Sequence, residues 1–160
     1  CKYLHEAGAK LLVSDIHGAA VARAEAEFGA RIVAGEDIYS QDVDVFAPCA
    51  LGAELNSRTI PRLRAQIVAG AANNQLERAE DGAELAARNI LYAPDYVINA
   101  GGVINLSYER ESGYERDRAM AHTARIYEIS LEIFGRAKRE GRPTSDIADD
   151  MAREMLGAKS

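Results

Sequence analysis

Ala93-Pro94-Asp95-Tyr96-Val97-Ile98-Asn99-Ala100-Gly101-Gly102-Val103-Ile104-Asn105 carries more information than any other stretch of this chain. An apolar run delivers an amide, Asn99, straight into a turn of small residues, Ala100-Gly101-Gly102, and a second amide, Asn105, follows. Adjacent glycines permit backbone angles closed to other residues and let a flat ligand approach the main chain. An amide placed there can donate to one ligand group and accept from another. Two readings stand side by side: a loop that holds a planar polar molecule, and a tight turn with a capped helix after it.

Outward from that stretch, short apolar runs alternate with helical patterns. Lys10 to Asp15 reads as a short buried strand, Ala30 to Ala34 as a second, Asp44 to Ala47 as a third, Gln66 to Ala71 as a fourth and Ile90 to Ala93 as a fifth. Between them, Gly18 to Phe28 places Val21, Ala24 and Phe28 at helical spacing, with Gly29 as a stop. Thr59 to Arg64, opened by Ser57 and carrying Pro61 in its first turn, predicts a short helix, and Gly82 to Arg88 another. Such alternation predicts an α/β fold, a doubly wound parallel sheet covered on both faces. After Gly102 the pattern changes. Asp117 to Glu140 carries Met120, Ile126, Ile129, Ile133 and Phe134 among charged residues, the mark of a long amphipathic helix. Gly141-Arg142-Pro143 breaks it, and Thr144 and Ser145 are placed to cap a last helix, Asp146 to Leu156.

In an open parallel sheet, ligands bind beyond the carboxyl ends of the strands. Four predicted ends carry small or polar residues, namely Asp15, Cys49-Ala50, Asn73-Asn74 and Asn99. Asp15 stands where an acidic side chain accepts the two hydroxyls of an adenosine ribose and repels a 2′-phosphate, while Ile16 and His17 beside it supply no arginine. The same aspartate would serve as an N-cap for the helix that follows. Asn74 is also open to a second reading, as a turn amide bonding its own backbone.

Composition narrows the class. A chain of 160 residues with 48% apolar and 28% charged residues has the make-up of one globular domain. A formal charge of −6 with scattered basic residues argues against nucleic acid or an anionic membrane as partner. No apolar run reaches the ~20 residues of a membrane span. The two cysteines, Cys1 and Cys49, and the three histidines show no metal-ligand spacing and no hydrolytic triad, and a reducing, cytoplasmic setting fits them best. Cys49, at the end of an apolar run, reads as a small buried hydrophobe. Cys1 to Ala7 reads as the tail of a helix ending at Gly8, so a preceding segment is expected.

Four blocks in one order give the sequence a family likeness. They are Lys10-Leu11-Leu12-Val13-Ser14-Asp15, Phe46-Ala47-Pro48-Cys49-Ala50-Leu51-Gly52, Val68-Ala69-Gly70-Ala71-Ala72-Asn73-Asn74-Gln75-Leu76, and the stretch quoted first. Together they resemble the cofactor-binding domain of the amino acid dehydrogenases that act on leucine, valine, phenylalanine and glutamate, with the leucine/valine branch most similar. The resemblance implies a Rossmann-like domain over residues 1–112, lacking its first strand and the glycine-rich phosphate loop, and a C-terminal helical extension over 113–160. That extension is expected to pack on the same domain or on a catalytic domain absent from this sequence. The implied reaction takes an L-amino acid, water and NAD to a 2-oxo acid, ammonia and NADH. In the family the proton chemistry belongs to lysines and an aspartate of the other domain, and the subunits form oligomers.

The resemblance also assigns residues. Cys49, Ala50 and Leu51 are expected beside the nicotinamide ribose or the adenine side of the cofactor. Asn74 is expected on the nicotinamide ribose or carboxamide, with Asn73 an extra amide of no assigned task. Asn99 is expected between the nicotinamide and the amino group of the substrate. Thr123 and Ile126, three residues apart on one helix face, are expected to line the pocket for the substrate side chain, where the leucine branch has aliphatic residues at both places. Thr123 departs from that and leaves the preferred amino acid open, and plain helix packing accounts for the pair as well. Two wider alternatives remain: the domain of another nicotinamide enzyme, such as a 2-hydroxy acid dehydrogenase, and a non-enzymatic binding or assembly module.

Overall fold

A computed structural model describes residues 1–110 and 114–157. The chain is α/β, as the alternation predicts. In order it forms α1 (Lys2–Glu6), β1 (Leu12–Val13), α2 (Gly18–Phe28), β2 (Arg31–Ile32), a 3-10 segment Gly35–Ser40, β3 (Val45–Phe46), a 3-10 turn Ile60–Arg62, and β4 (Ile67–Val68). There follow α3 (Glu80–Ala87), β5 (Leu91–Tyr92), α4 (Asp95–Ile98), α5 (Gly101–Glu109), α6 (Arg116–Glu140) and α7 (Thr144–Met155). Every strand pairing is parallel, but the strands fall into two sheets, β1-β2 and β3-β4-β5.

The helices follow local rules. α2 has the predicted span, and Gly29 closes it in the left-handed conformation at φ 62°, which costs glycine little. Gly141 closes α6 in the same way at φ 63°. The strands are shorter than predicted, because a ladder extends only where a neighbour offers matching groups. The expected buried strand Lys10 to Asp15 reduces to Leu12–Val13, and both residues are only half-buried. Among the described residues its one hydrogen-bonded neighbour, β2, is itself exposed, with Ile32 at 43%.

Two further expectations need correcting. Thr59 to Arg64 is not a helix. Asn56 takes the N–H groups of Arg58 and Thr59 on its Oδ1, and the chain is extended again by Leu63, so only the turn Ile60–Arg62 forms. The last helix starts earlier than expected, with Pro143 at its N-cap position and no side-chain cap. Thr144 instead donates its hydroxyl to the Tyr92 carbonyl at 2.7 Å, pinning α7 to β5.

The main core lies around β3-β4-β5 and is built from Phe46, Leu55, Ile60, Leu63, Val68, Leu85, Ile90 and Tyr92. A second cluster, Ile133, Ala137, Ile147, Ala148 and Met151, joins α6 to α7, with Val97 of α4 against it. Arg136 reinforces that joint, pairing with Glu140 and with both oxygens of Glu154. Among the described residues no helix is long and apolar enough to cross a membrane. The expected boundary between residues 112 and 113 lies outside the described residues.

Candidate functional site

Parallel strands bring their carboxyl ends to the same side, and around β3-β4-β5 those ends are tied tightly together. Gly70, just past β4, lies against Pro48, just past β3: a Cβ at position 70 would fall 2.1 Å from the Pro48 carbonyl oxygen. Ala72 donates its N–H to that same carbonyl at 2.9 Å. Gln75, fully buried, donates through Nε2 to the carbonyls of Gly70 and Ala72 at 2.8 and 2.9 Å. Ala53 donates to the Asn74 carbonyl at 2.7 Å, and Leu55 to the Gln75 carbonyl at 2.9 Å. The loops after β3 and β4 are therefore one unit.

Asn74 sits in that unit at φ 54°, a left-handed conformation that asparagine tolerates better than most residues. Its N–H donates to Asp95 Oδ2 at 2.6 Å, and the Tyr92 hydroxyl donates to Asp95 Oδ1 at 2.7 Å. Asp95 is 6% exposed, so both oxygens of a buried carboxylate are engaged. Burial first, and then the bond to Asp95, pushes the Tyr92 phenol well above its ordinary value.

Asn99 comes at the end of the one-turn helix α4, not at the end of a strand as expected. Its side chain does not cap the next helix. Nδ2 donates to the Ala72 carbonyl at 3.0 Å and lies 3.4 Å from Asn73 Oδ1. With its nitrogen spent on the β4 loop, the amide has its oxygen left as acceptor. Asn73, which had no assigned task, thus helps to orient Asn99, and the structure gathers Asn73, Asn74 and Asn99 at one edge.

Cys49 corrects the sequence reading: it is exposed, not buried. The core contact is made by Pro48, and the chain then turns outward, leaving Cys49, Ala50 and Leu51 uncovered, with Leu51 at 76% exposure. Gly52 returns the loop to its neighbour, where a Cβ would meet the carbonyl oxygens of Asn73 and Asn74 at 3.0 Å.

Asp15 stands past the carboxyl end of β1, in the other sheet, and is exposed. Its Oδ1 accepts the His17 N–H at 2.8 Å, but His17 itself is the N-cap of α2 and no side chain caps that helix, so the N-cap reading of Asp15 does not hold. Ile16 beside it is 94% exposed. Among the described residues no hydrogen bond joins Asp15 to the amide cluster. Thr123 and Ile126 are both half-buried on α6. Thr123 Oγ1 donates back to the Ala119 carbonyl at 2.9 Å, and its methyl lies where a Cβ on Gly101 would meet it at 3.1 Å. Thr123 therefore abuts the turn that follows Asn99. Asn105 belongs elsewhere, bonded to Glu109 and Tyr114.

Sequence reasoning overlooked Asp95, Tyr92 and Gln75. A proline followed by an acid at a helix start was the visible signal for Asp95. A cleft of about 580 Å³ opens at the amino ends of β4 and β5, lined by Arg64, Gln66 and Arg88 among others. Arg88 there is engaged by the carbonyls of Pro61 and Leu63. A smaller one of about 300 Å³ holds Leu51 with Glu36, Tyr39, Arg58 and Arg62. Volume favours the first, but the chemistry of the strand ends favours the carboxyl edge.

The sequence is 51% identical over 156 residues to the leucine dehydrogenase of Geobacillus stearothermophilus, matching 98% of this chain and 42% of that protein. The crystal structure of L-tryptophan dehydrogenase from Nostoc punctiforme superposes with a TM-score of 0.94 at 47% identity, covering 99% of this chain and 48% of that one. A hetero-hexameric glutamate dehydrogenase from Thermus thermophilus, at 20% identity and TM-score 0.65, shares the fold. The chain spans less than half the length of the curated relatives it matches. The fold is Rossmann-like. The family model for glutamate, leucine, phenylalanine and valine dehydrogenases matches residues 5–138, and the chain belongs to that family.

Proposed function

We propose that this chain is the cofactor-binding part of an NAD-dependent amino acid dehydrogenase that reversibly deaminates a branched-chain L-amino acid to its 2-oxo acid and ammonia. The observation that carries this reading is the fastened amide cluster, Asn74 and Asn99 held at the carboxyl edge of a parallel sheet. The residues present suit a dinucleotide. Ile16 and Leu51 offer exposed apolar surface to a ring, Asp15 offers an acceptor to ribose hydroxyls, and Cys49 and Ala50 leave their loop open. A carboxylate at position 15 favours NAD over a 2′-phosphorylated cofactor.

When bound, the cofactor supplies the hydride-accepting ring, and this chain supplies orientation and electrostatics. Asn74 holds the nicotinamide ribose or carboxamide. Asn99 turns its Oδ1 toward donors, the carboxamide and the substrate amino group. Thr123 and Ile126 line the place for the substrate side chain. The acid–base groups belong to a catalytic domain outside this sequence. Residues 1–112 form the dinucleotide-binding part, and 113–160 the helical extension. The working protein is an oligomer in the cytoplasm, a setting that agrees with two exposed, unpaired cysteines.

The test is initial-rate NADH formation by the whole protein on L-leucine, L-valine and L-tryptophan. Highest kcat/KM on leucine or valine is expected; preference for tryptophan overturns the branched-chain assignment, and no reduction with any amino acid overturns the enzyme class. The 160-residue chain alone is expected to show no turnover and only weak NAD binding. A dissociation constant in the micromolar range by calorimetry breaks that expectation.

A further inference from the structure

We infer that Asp95 is a positioning residue that sets the cofactor-facing geometry of Asn74, an inference that rests on the proposed function. Asn74 occupies a left-handed conformation at φ 54°, which asparagine tolerates but which costs more than the right-handed region, so contacts that hold it there set its geometry. Two contacts hold it here. The carbonyl is fixed by Ala53, and the N–H is fixed by Asp95 Oδ2 at 2.6 Å. The second contact is the unusual one, since it reaches across the chain from the loop after β4 to the first turn of α4.

The chemistry of the position favours a carboxylate. Asp95 receives a hydrogen bond on each oxygen, from Asn74 and from the Tyr92 hydroxyl, and an ionised carboxylate is acceptor-only. Tyr92 is 2% exposed and its carbonyl is held by Thr144, so the anchor behind Asp95 is rigid. Asp95 also begins the turn whose end presents Asn99: the Asn99 N–H donates to the Asp95 carbonyl at 2.8 Å. One residue thus fixes the backbone of one amide through its side chain and supports the other through its main chain. The side chain is what a substitution removes.

The test is a double-mutant cycle in the whole protein, read by NADH fluorescence titration and thermal melting. Asp95→Ala should weaken NADH binding about tenfold, or ~1.4 kcal/mol, in protein that remains folded. Asp95→Asn, which retains an acceptor for the Asn74 N–H, should recover most of that loss. Asn74→Gly accepts the left-handed angle without help, and in that background Asp95→Ala should cost no further affinity. Tyr92→Phe should lower the melting temperature while moving NADH affinity less than Asp95→Ala does. If Asp95→Ala lowers the melting temperature but leaves NADH affinity intact, or acts undiminished beside Asn74→Gly, the inference is overturned. A wild-type protein that binds no NADH overturns the proposed function and this inference together.

Discussion

The two sheets of this molecule carry their candidate residues under opposite conditions. At the carboxyl edge of β3-β4-β5, Asn74 and Asn99 are built into a lattice of short contacts, backed by Gly70, Gln75 and Asp95. At the edge of β1-β2, Asp15 and Ile16 stand in the open, on strands whose own residues are half-buried or exposed. The difference separates two ways of presenting a ligand group. Precise orientation of a planar amide needs a rigid support. A carboxylate meeting ribose hydroxyls, beside an apolar side chain free to lie against a ring, needs less.

The comparison breaks most sharply at glycine. Gly70→Ala drives a Cβ to 2.1 Å from backbone oxygen, and a loss of about 3 kcal/mol or more is expected. Gly18→Ala, with no atom within 4 Å of the new Cβ, should leave stability unchanged or raise it by about 0.5 kcal/mol. Urea midpoints of both variants check this; equal midpoints would mean that the β3 and β4 loops are not in close contact. Leucine gives the next contrast. Leu85→Ala removes a fully buried side chain and should cost about 2–5 kcal/mol. Ile32→Ala, at a side chain 43% exposed, should cost about 1 kcal/mol or less.

The smallest effect is alkaline. Tyr92, Tyr96 and Tyr39 all ionise above the ordinary 10.0, chiefly through loss of water around the phenol, nearly complete at buried Tyr92 and partial at Tyr96, which is 49% exposed. Bonds to Asp95 and Asp149 add to it at Tyr92 and Tyr96, and the charges of Glu54 and Glu36 at Tyr39. A raised folded value means that the neutral phenol is favoured in the native state. The stabilisation is complete below pH 10 and is lost progressively as pH rises through the folded values. A phenolate absorbance titration should therefore show three tyrosines ionising late, with the tight sheet edge lost as Tyr92 ionises. Ionisation of all seven tyrosines at the ordinary pH would contradict the burial of that edge.

What the sequence disclosed divides along the same line. α2 was legible to the residue, because alanine-rich spacing and Gly29 are local signals. Asn74 and Asn99 were legible as polar ends of apolar runs, and the structure brings them to one edge. The brace beneath them was not. Asp95 meets Asn74 across 21 positions, and Gly70 is needed for a steric reason that lies in Pro48. Neither contact leaves a mark in periodicity. Cys49 shows a related limit: the apolar run predicts a side chain pointing inward, whereas Pro48 turns the chain outward first.

β1 and β3 each have one hydrogen-bonded flank only, among the described residues. Unpaired backbone groups of this kind recruit other strands. Such flanks leave the chain open to strand addition. Their brevity, two residues each, keeps that stickiness modest until a longer strand pairs with them.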